Sequence, residues 1–510
     1  MNIQRFLIVI STVLAASIQV IDGTIVNVAI PTMMSNLGID LNSITWVSSS
    51  YLIAHVVILP IIGWLSQTLG RKKYLLYCIL VFILASVGCG FSPNLWVLVF
   101  FRIIQGFAGG ALMPISLSLL FEAFPENQKA KAAAIFGVCV MISPAFGPLM
   151  GGYLTEYFGW PYIFFVNVPI GLLAILIGII GIPEEKGQSF EKIDYWGLCF
   201  LFVGLGFFQF AIERGETMEW FSSNWIAFSF LMAAIFIPAF IFRCLNAEKP
   251  LLDLSLLKSA RMNISCMVNL LVGYILYGVS FLIPVYAQRV WDLSTVQIGW
   301  IFVPSALITS LFMPLVSYST KAFRPSLVMA FGMFLSAVGF YYFSQINNVS
   351  SHFSPYLPAT LSRLGFAFSL IPATLVAMEG FKGRQSTEVS ALLNFSRQLG
   401  GSVSFAIIAT LLTNFQKRFY GILKADISSL NYPVQQMQAS LQEKLTQSMP
   451  LETGEGTYIQ MAGKVLQEKV YLQSFVLSYD RIMWISMFVT LFAVVLMLCV
   501  SFIFKRKKAK

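Results

Sequence analysis

Fourteen long apolar runs, separated by short polar segments, constrain this chain more than any other feature of its sequence. A helix that crosses a hydrocarbon core of about 30 Å needs roughly 20 apolar residues, which is close to the length of each run. The runs predict membrane-spanning helices, because a single segment in lipid must satisfy its own backbone hydrogen bonds. They cover residues 6–30, 44–65, 74–92, 96–121, 131–154, 160–181, 195–213, 224–245, 262–289, 296–318, 326–345, 356–379, 386–415 and 477–504.

Composition excludes a soluble protein. Of the 510 residues, 57% are hydrophobic and 11% are charged, whereas a soluble domain carries about 25% charged residues. A soluble chain this apolar would lack the polar groups to cover its surface, so the excess must face lipid. The first run starts near Phe6, is too long for a signal peptide, contains Asp22 and lacks a small-residue cleavage site. It is therefore predicted to be the first spanning helix.

The net charge of +10 is explained by topology rather than by nucleic-acid binding. If the N-terminus is cytoplasmic, most lysines and arginines fall in the inner segments, whereas the short outer loops hold Arg214 and Arg289. This distribution is the positive-inside pattern of membrane proteins. It predicts that both termini are cytoplasmic and that the polar segment 416–475 is an external loop.

The sequence indicates neither a metal centre nor a cofactor. The seven cysteines are scattered singly without a CxxC pair, and His55 and His352 are too few for a metal cluster. A lone histidine in an apolar run, such as His55, is most often a structural residue. No GxxxxGK[ST] phosphate-binding loop occurs, so ATP is not expected to drive the protein. A membrane-embedded enzyme would need a nucleophile–base pair or a metal cluster, and the sequence suggests neither.

The chain carries an internal repeat with an offset of about 253 residues. The segment that ends at Pro31 is echoed by one that ends at Pro284, and the segment around Arg102 has a shortened echo around Arg363. Parallel repeats with a substrate site between them are typical of one large class of transporters. The predicted domains are a six-helix half at 1–186, two inserted helices at 187–258, and a second six-helix half at 259–510 that includes the external loop.

Asp22 is an acid that the sequence places near the centre of a spanning helix. A charge at the bilayer centre costs about 2.5–3.5 kcal/mol on insertion scales, so Asp22 must face the bundle interior. Burial disfavours a charged carboxylate, which makes Asp22 a candidate for proton exchange; the alternative is an ordinary hydrogen-bonded buried aspartate. Thr24 and Asn27 are candidates for holding it. The repeat aligns Asp22 with Ile275 or Leu276, so the second half has no matching acid.

Two further charges in the first half join Asp22 as candidates for proton coupling. Arg102 lies within the fourth run, and Glu156 lies near the outer end of the fifth. The alternatives are that Arg102 satisfies backbone carbonyls and that Glu156 only reaches the membrane interface. In the second half, Arg363 and Arg397 are candidate intramembrane cations.

Glycines and prolines mark three places where helices are expected to approach closely or to bend. A basic turn follows the second run, small residues flank Arg102 in the fourth, and prolines and glycines crowd the fifth. Such residues let backbones pack tightly and let a helix act as a hinge in a moving bundle. The residues concerned are Gly63, Gly70 and Arg71; Gln105 and Gly106; and Pro144, Gly147, Pro148, Gly151 and Gly152.

As a set, these motifs resemble those of the fourteen-helix drug:proton antiporters of the EmrB/QacA type in the major facilitator superfamily. The likeness covers nearly the whole chain. One departure is Gln67, because the family's turn commonly carries an acid there, and this puts a charge lock at that turn in doubt. The matching segments are IDGTIVNVAIP at 21–31, the turn at 63–73, the signatures around Arg102 and Gly147, YIFFVNVPIG at 162–171, LDLSLLKS, and NFSRQLGG around Arg397.

The resemblance implies an all-α polytopic membrane protein with the major facilitator fold, made of two six-helix pseudo-repeats and two inserted helices. It implies a proton-coupled exporter of small hydrophobic compounds, without a cofactor, in a bacterial inner (plasma) membrane. Partners that it implies are a periplasmic EmrA-like adaptor and a TolC-like outer-membrane channel. The possible substrate-cavity residues are Thr24, Asn27, Asn167, Arg363, Asn394 and Arg397.

Two other functions remain open at this point. The chain could export one physiological compound, such as a fatty acid, a siderophore or an amino acid, because cavity shape rather than sequence motif decides breadth. It could also be a transporter-like sensor that keeps the fold without transport.

Overall fold

The computed structural model describes residues 3–39, 41–184, 194–247, 251–347, 350–351, 353–381, 384–426 and 455–508, together with 436, 439–440 and 443. Within these ranges every regular element is helical. Thirteen helices in the described residues are long and apolar enough to cross a membrane, and Ala260–Leu276 is a shorter apolar helix. Each of the fourteen predicted runs coincides with a helix, which confirms the all-α polytopic architecture.

We number the fourteen principal helices α1 to α14 in chain order and leave the short turns between them unnumbered. The ninth is one helical stretch interrupted by a π-helical turn. The helices are α1 Ile3–Leu37, α2 Trp46–Leu69, α3 Arg71–Gly90, α4 Leu95–Ala123, α5 Lys129–Tyr157, α6 Tyr162–Gly181, α7 Tyr195–Arg214, α8 Asn224–Asn246, α9 Ala260–Gly273 continued through Tyr274–Val279 into Ser280–Trp291, α10 Thr295–Ala322, α11 Pro325–Ser344, α12 Tyr356–Met378, α13 Arg384–Asp426 and α14 Glu455–Lys508.

Helices α13 and α14 extend beyond the ends predicted from hydropathy. The segment 416–475, which was predicted to be an external loop, is helical at both ends, because α13 continues to Asp426 and α14 begins at Glu455. Hydropathy falls where apolar side chains stop, but Gln, Lys, Leu and Glu keep good helix propensity in water. The two extensions touch, since the Gln467 amide donates to the Tyr420 hydroxyl at 3.1 Å. The rest of the predicted loop falls mostly outside the described residues.

The helices pack as two groups that meet along two seams. Among the first six helices, α1 packs on α5 and α6, while α4 packs on α2 and α3. Among the last six, α11 packs on α12 and α14, and α9 packs on α13. The groups meet where α5 packs on α10 and where α13 packs on α2 and α4. Any relative motion of the groups must therefore remake contacts along these two seams.

Glycines set the closest helix approaches in the first group. A Cβ atom at Gly106 of α4 would lie 2.5 Å from the carbonyl oxygen of Tyr51 in α2. A Cβ atom at Gly147 of α5 would overlap Oγ1 of Thr24 in α1. Gly70 turns the chain from α2 into α3 at a φ of 80°, a conformation that strains residues with a Cβ atom. The small residues that the sequence singles out here are thus required by backbone proximity and by turn geometry.

The inserted helices contact both groups. Helix α8 packs on α7, and α7 packs on α2 and on α13. The Gln209 amide of α7 donates to the Ser402 hydroxyl of α13 at 2.6 Å. At the end of α7, the Arg214 guanidinium lies 4.6 Å from the centre of the Trp46 ring, at the start of α2. Helix α7 therefore bridges the two groups.

Large apolar side chains point outward along the spanning helices. A soluble monomer rarely exposes apolar surface on this scale, whereas a bilayer covers it. Examples with more than half of the side chain exposed are Leu84, Phe100, Leu176, Ile180, Leu311 and Phe492. This exposure fits a multi-pass membrane protein.

Candidate functional site

A buried ion pair lies within the first six helices. Nη1 of Arg102 on α4 donates to Oδ2 of Asp22 on α1 at 2.6 Å, and neither side chain is more than 2% exposed. Nε of Arg102 also donates to the carbonyl oxygen of Val47 at the start of α2, at 3.0 Å. The structure thus brings together the two intramembrane charges that the sequence singles out in this half.

Two side-chain amides complete the donors to the carboxylate. The amides of Gln105 on α4 and Asn167 on α6 donate to Oδ1 of Asp22 at 2.9 and 2.8 Å. The same amides reach the Ser86 hydroxyl on α3, at 2.7 Å from Gln105 and 3.3 Å from Asn167. Hydrogen bonds to a charged group typically contribute about 1.5–3 kcal/mol each. Three donors from two helices therefore contact the Asp22 carboxylate.

Aromatic rings flank the other side of the guanidinium. The Arg102 guanidinium carbon lies 4.2 Å from the centre of the Tyr51 ring and 5.7 Å from that of Phe164. Cations are attracted to the faces of aromatic rings, most strongly where water is excluded. Arg102 thus both pairs with the acid and satisfies a backbone carbonyl.

The Asp22–Arg102 pair has two charge states that are chemically possible. Asp22 can be an anion paired with Arg102, or a neutral acid that leaves the guanidinium with its remaining donors and rings. Both side chains are sealed from solvent, so proton exchange requires the helices around them to part. Removing one charge of a buried pair is strongly destabilising.

Two of the predicted residues, Thr24 and Glu156, do not join this network. The Thr24 hydroxyl donates to the carbonyl oxygen of Ile21 in its own helix at 3.0 Å, so Thr24 does not hold the carboxylate. Side chains two residues apart on a helix are rotated by roughly 200° about its axis, so they lie on nearly opposite faces. Asp22 and Thr24 therefore face different neighbours. Glu156 is exposed near the end of α5. The side chain of Asn27 lies outside the described part of the chain.

In the second group, Arg397 on α13 faces the first group. Its Nη2 atom donates to Oδ1 of Asn394 and lies 2.9 Å from the sulfur of Met113 on α4. Arg397 and Asn394 are both buried. They therefore occupy the seam between α13 and α4, at a contact that separation of the groups must break.

Arg363 on α12 occupies the position that the repeat aligns with Arg102. Its guanidinium carbon lies 5.2 Å from the centre of the Phe302 ring, and it lines a cavity of about 20 Å3 together with Ile275 and Leu276. That volume suits about one water molecule. The second group thus retains the arginine but has apolar residues where the repeat aligns Asp22.

The motif at the turn between α2 and α3 lies against both groups. Arg71 forms an ion pair with Glu122 at the end of α4, at 2.6 Å. A Cβ atom at Gly63 would overlap the side chain of the buried Glu388 on α13. On α4, the Ser118 hydroxyl lies 3.0 Å from that of Thr387 on α13. This end of the seam between α2, α4 and α13 is closed.

The small residues of α5 occupy different environments. Gly151 is buried, whereas Pro144 and Gly152 are half-buried, and the side chain of Pro148 lies outside the described part of the chain. Gly147 packs against Thr24, because a Cβ atom at this position would overlap Oγ1 of Thr24. This contact places one face of α5 tightly on α1.

Sequence reasoning missed several residues around the site. Ser86, Tyr51 and Glu388 carry no motif, and only tertiary packing brings them to Asp22, Arg102 or the seam. Glu388 lies four residues after the start of α13. It is far from the apolar centre of the predicted run 386–415, so the sequence does not indicate that it is buried. A systematic search for polar residues one helical turn from Asp22 would have found Gln19, which is also buried.

Comparison with known proteins identifies relatives over most of the chain. A model of the Major Facilitator Superfamily matches residues 12–405. The Multidrug export protein EmrB of Escherichia coli (strain K12) is 30% identical over 485 residues, which cover 95% of this chain and 93% of that protein. The Fatty acid resistance protein FarB of Neisseria gonorrhoeae is 30% identical over 406 residues, or 79% of this chain and 80% of that protein.

A solved structure shows a similar fold. The human organic anion transporter MFSD10 (TETRAN) superposes with a TM-score of 0.55, over 80% of this chain and 92% of that one. The sequences are 13% identical. The likeness therefore concerns the fold alone.

Proposed function

The chain belongs to the major facilitator superfamily of membrane transporters, and from this membership we propose that it exports small hydrophobic compounds in exchange for protons. The observation that carries the proposal is the sealed Asp22–Arg102 pair with its amide donors. An acid buried at this depth in a spanning helix is costly, and such residues mark ion pathways in transporters. A proton entering along the membrane potential supplies about 2.3 kcal/mol per 100 mV for transport of a neutral compound.

Transport in this proposal proceeds by alternating access between two halves, residues 1–186 and 259–510, with the inserted helices in 187–258. The seams of α5 with α10, and of α13 with α2 and α4, open in turn on the two sides of the membrane. Protonation of Asp22 in one state and its release in the other couples the cycle to protons, with Arg102 as the neighbouring cation. Asn394 and Arg397 on α13 are the proposed substrate contacts from the second half.

The proposed substrates are several unrelated drugs, because the EmrB relative is a multidrug export protein. The FarB relative favours a second candidate, export of fatty acids. Cells that lack their own exporters would be grown with and without this gene, in the presence of dyes, uncouplers, antibiotics or long-chain fatty acids. Protection against several unrelated drugs supports multidrug export, and protection against fatty acids alone supports the second candidate. No protection against any compound, with the protein present in the membrane, contradicts export of this class.

The proposed location is the inner membrane of a bacterium, with both termini in the cytoplasm. In this orientation the extensions of α13 and α14 beyond the bilayer lie on the outer side. A two-helix projection of this kind offers a surface for a periplasmic EmrA-like adaptor, which in turn would reach a TolC-like outer-membrane channel. The partner proposal rests on the family resemblance and on this projection.

A further inference from the structure

His55 lies within α2 and contacts helices of both groups. The side-chain amides of Gln19 on α1 and Gln398 on α13 each donate to its Nε2 atom at 3.2 Å. His55 is 2% exposed, and both glutamines are buried. The bond to Gln398 crosses the seam between the two groups.

His55 is also linked to the buried ion pair by two physical routes. Its ring stacks on that of Tyr51, with ring centres 5.9 Å apart, and the Tyr51 ring lies 4.2 Å from the Arg102 guanidinium carbon. The second route follows α1, where Gln19 lies three residues before Asp22 and so on a neighbouring part of the helix surface. A movement of the Arg102 guanidinium or of α1 would therefore change the contacts of His55.

We infer that His55 is a positioning residue that transmits the protonation state of Asp22 to the contact between the two halves. The inference rests on the proposed proton-coupled function and names a residue through which coupling runs. When Asp22 is charged, Arg102 is held by the carboxylate, Tyr51 lies against the guanidinium, and His55 accepts the hydrogen bond from Gln398. When Asp22 is protonated, the guanidinium loses its anion and shifts. The Tyr51 and His55 rings follow, and the bond across the seam breaks.

Other hydrogen bonds to α13 provide a contrast. Ser402, one helical turn after Gln398, accepts from Gln209 on the inserted helix α7 at 2.6 Å. That bond also holds α13 in place, but its donor belongs to a helix that carries no part of the ion-pair network. Loss of the Ser402 hydroxyl should therefore weaken the packing of α13 without altering how the seam responds to Asp22.

The test is a double-mutant cycle on the conformational equilibrium. Spin labels at Pro93→Cys and Gln345→Cys, two exposed positions near the ends of α3 and α11, report the distance between the halves once Cys199, Cys266 and Cys499 are replaced by Ser. Asp22→Asn should change the ratio of the two distance populations by about fivefold or more when His55 is present, as expected for coupled sites. In a His55→Phe background, the same change should alter the ratio by less than about twofold.

His55→Phe keeps an aromatic ring for stacking on Tyr51 and removes the Nε2 acceptor. Gln398→Leu, which removes the donor instead, should reproduce its effect, and it serves as the test if His55→Phe fails to fold. In the Ser402→Ala control, Asp22→Asn should act as strongly as in the unmodified protein. Equal effects of Asp22→Asn in the His55→Phe, Gln398→Leu and Ser402→Ala backgrounds would overturn the inference and leave the proposed function intact. No effect of Asp22→Asn on distances or on transport in any background would overturn both.

Discussion

Oδ2 of Asp22 and Nη1 of Arg102 lie 2.6 Å apart, and neither side chain is more than 2% exposed. Both ions have lost their hydration, so the stability of each depends on the other and on the donors of Gln105 and the carbonyl of Val47. Removal of one member of such a pair typically costs about 3–5 kcal/mol, because the other remains as an uncompensated charge. The pair is therefore a point of both stability and control.

Arg102→Gln should lower the thermal stability of the purified protein markedly, because it leaves the Asp22 carboxylate buried without its cation. The double variant Asp22→Asn/Arg102→Gln should recover much of that stability, because no charge is then left unpaired. It should remain inactive in proton-coupled export. Unfolding followed by fluorescence in detergent gives the stabilities, and a double variant less stable than Arg102→Gln would contradict the account.

Gly147→Ala should sharply reduce export while the protein still inserts into the membrane. The new Cβ atom would overlap Oγ1 of Thr24 and push α5 away from α1. Adding Thr24→Ala removes that oxygen and should recover part of the activity. Gly206→Ala on α7 is the matched control, because a Cβ atom there meets nothing within 4 Å. Full activity of Gly147→Ala would show that the contact between α5 and α1 does not constrain transport.

The charge distribution predicts the orientation of the chain. Reporter fusions after Lys510 and at Ser440, between α13 and α14, should lie on opposite sides of the membrane, with the C-terminus in the cytoplasm. The two sites are separated by one membrane-spanning helix, α14. Fusions that report the same side would mean that the number of crossings is miscounted and that the repeat alignment fails with it.

Replacement of residues 416–475, which include the projecting parts of α13 and α14, by a short Gly/Ser linker should leave membrane insertion intact, because the apolar parts of both helices remain. If an adaptor docks on the projecting helices, drug resistance of whole cells should fall while transport by the purified protein in vesicles persists. A linker of the original length with scrambled sequence separates the effect of length from that of sequence. Equal loss in cells and in vesicles would contradict docking at this segment.

Much of the fold follows from one-dimensional properties, whereas the site depends on three-dimensional packing. Hydropathy located the helices, and the cost of burying charge singled out Asp22 and Arg102 as inward-facing residues. Hydropathy does not predict the end of α13 at Asp426, because a helix can continue for several turns after its apolar part ends. Thr24 was assigned to the carboxylate from proximity in sequence alone, although helix geometry turns it towards Gly147.

The polar partners of the site were less predictable. The sequence predicts Asn167 as a possible substrate-cavity residue. In the structure its side-chain amide donates to Asp22 instead, because α6 packs on α1. Gln398 lies hundreds of residues from His55, and no local pattern indicates that they meet. Such contacts depend on how the two groups of helices pack against each other. The internal repeat shows which residues of the two halves correspond, but it does not show which residues touch.

The central claim is that Asp22 carries the coupled proton. Asp22→Asn has nearly the same shape and mimics the protonated acid permanently, so it should still exchange neutral substrate down a gradient. It should fail to concentrate substrate, because the amide neither gains nor loses a proton as the seams open in turn. Asp22→Glu keeps the acid with one more methylene and should retain part of the activity.

The most direct measurement is substrate-induced proton release from vesicles that carry the unmodified protein, Asp22→Asn or Asp22→Glu. We predict clear release from the unmodified protein, a smaller release from Asp22→Glu, and none from Asp22→Asn, with the same amount of folded protein in each preparation. Normal proton-coupled export by Asp22→Asn would contradict the claim and would move the coupling site elsewhere, with Glu156 as the next residue to test.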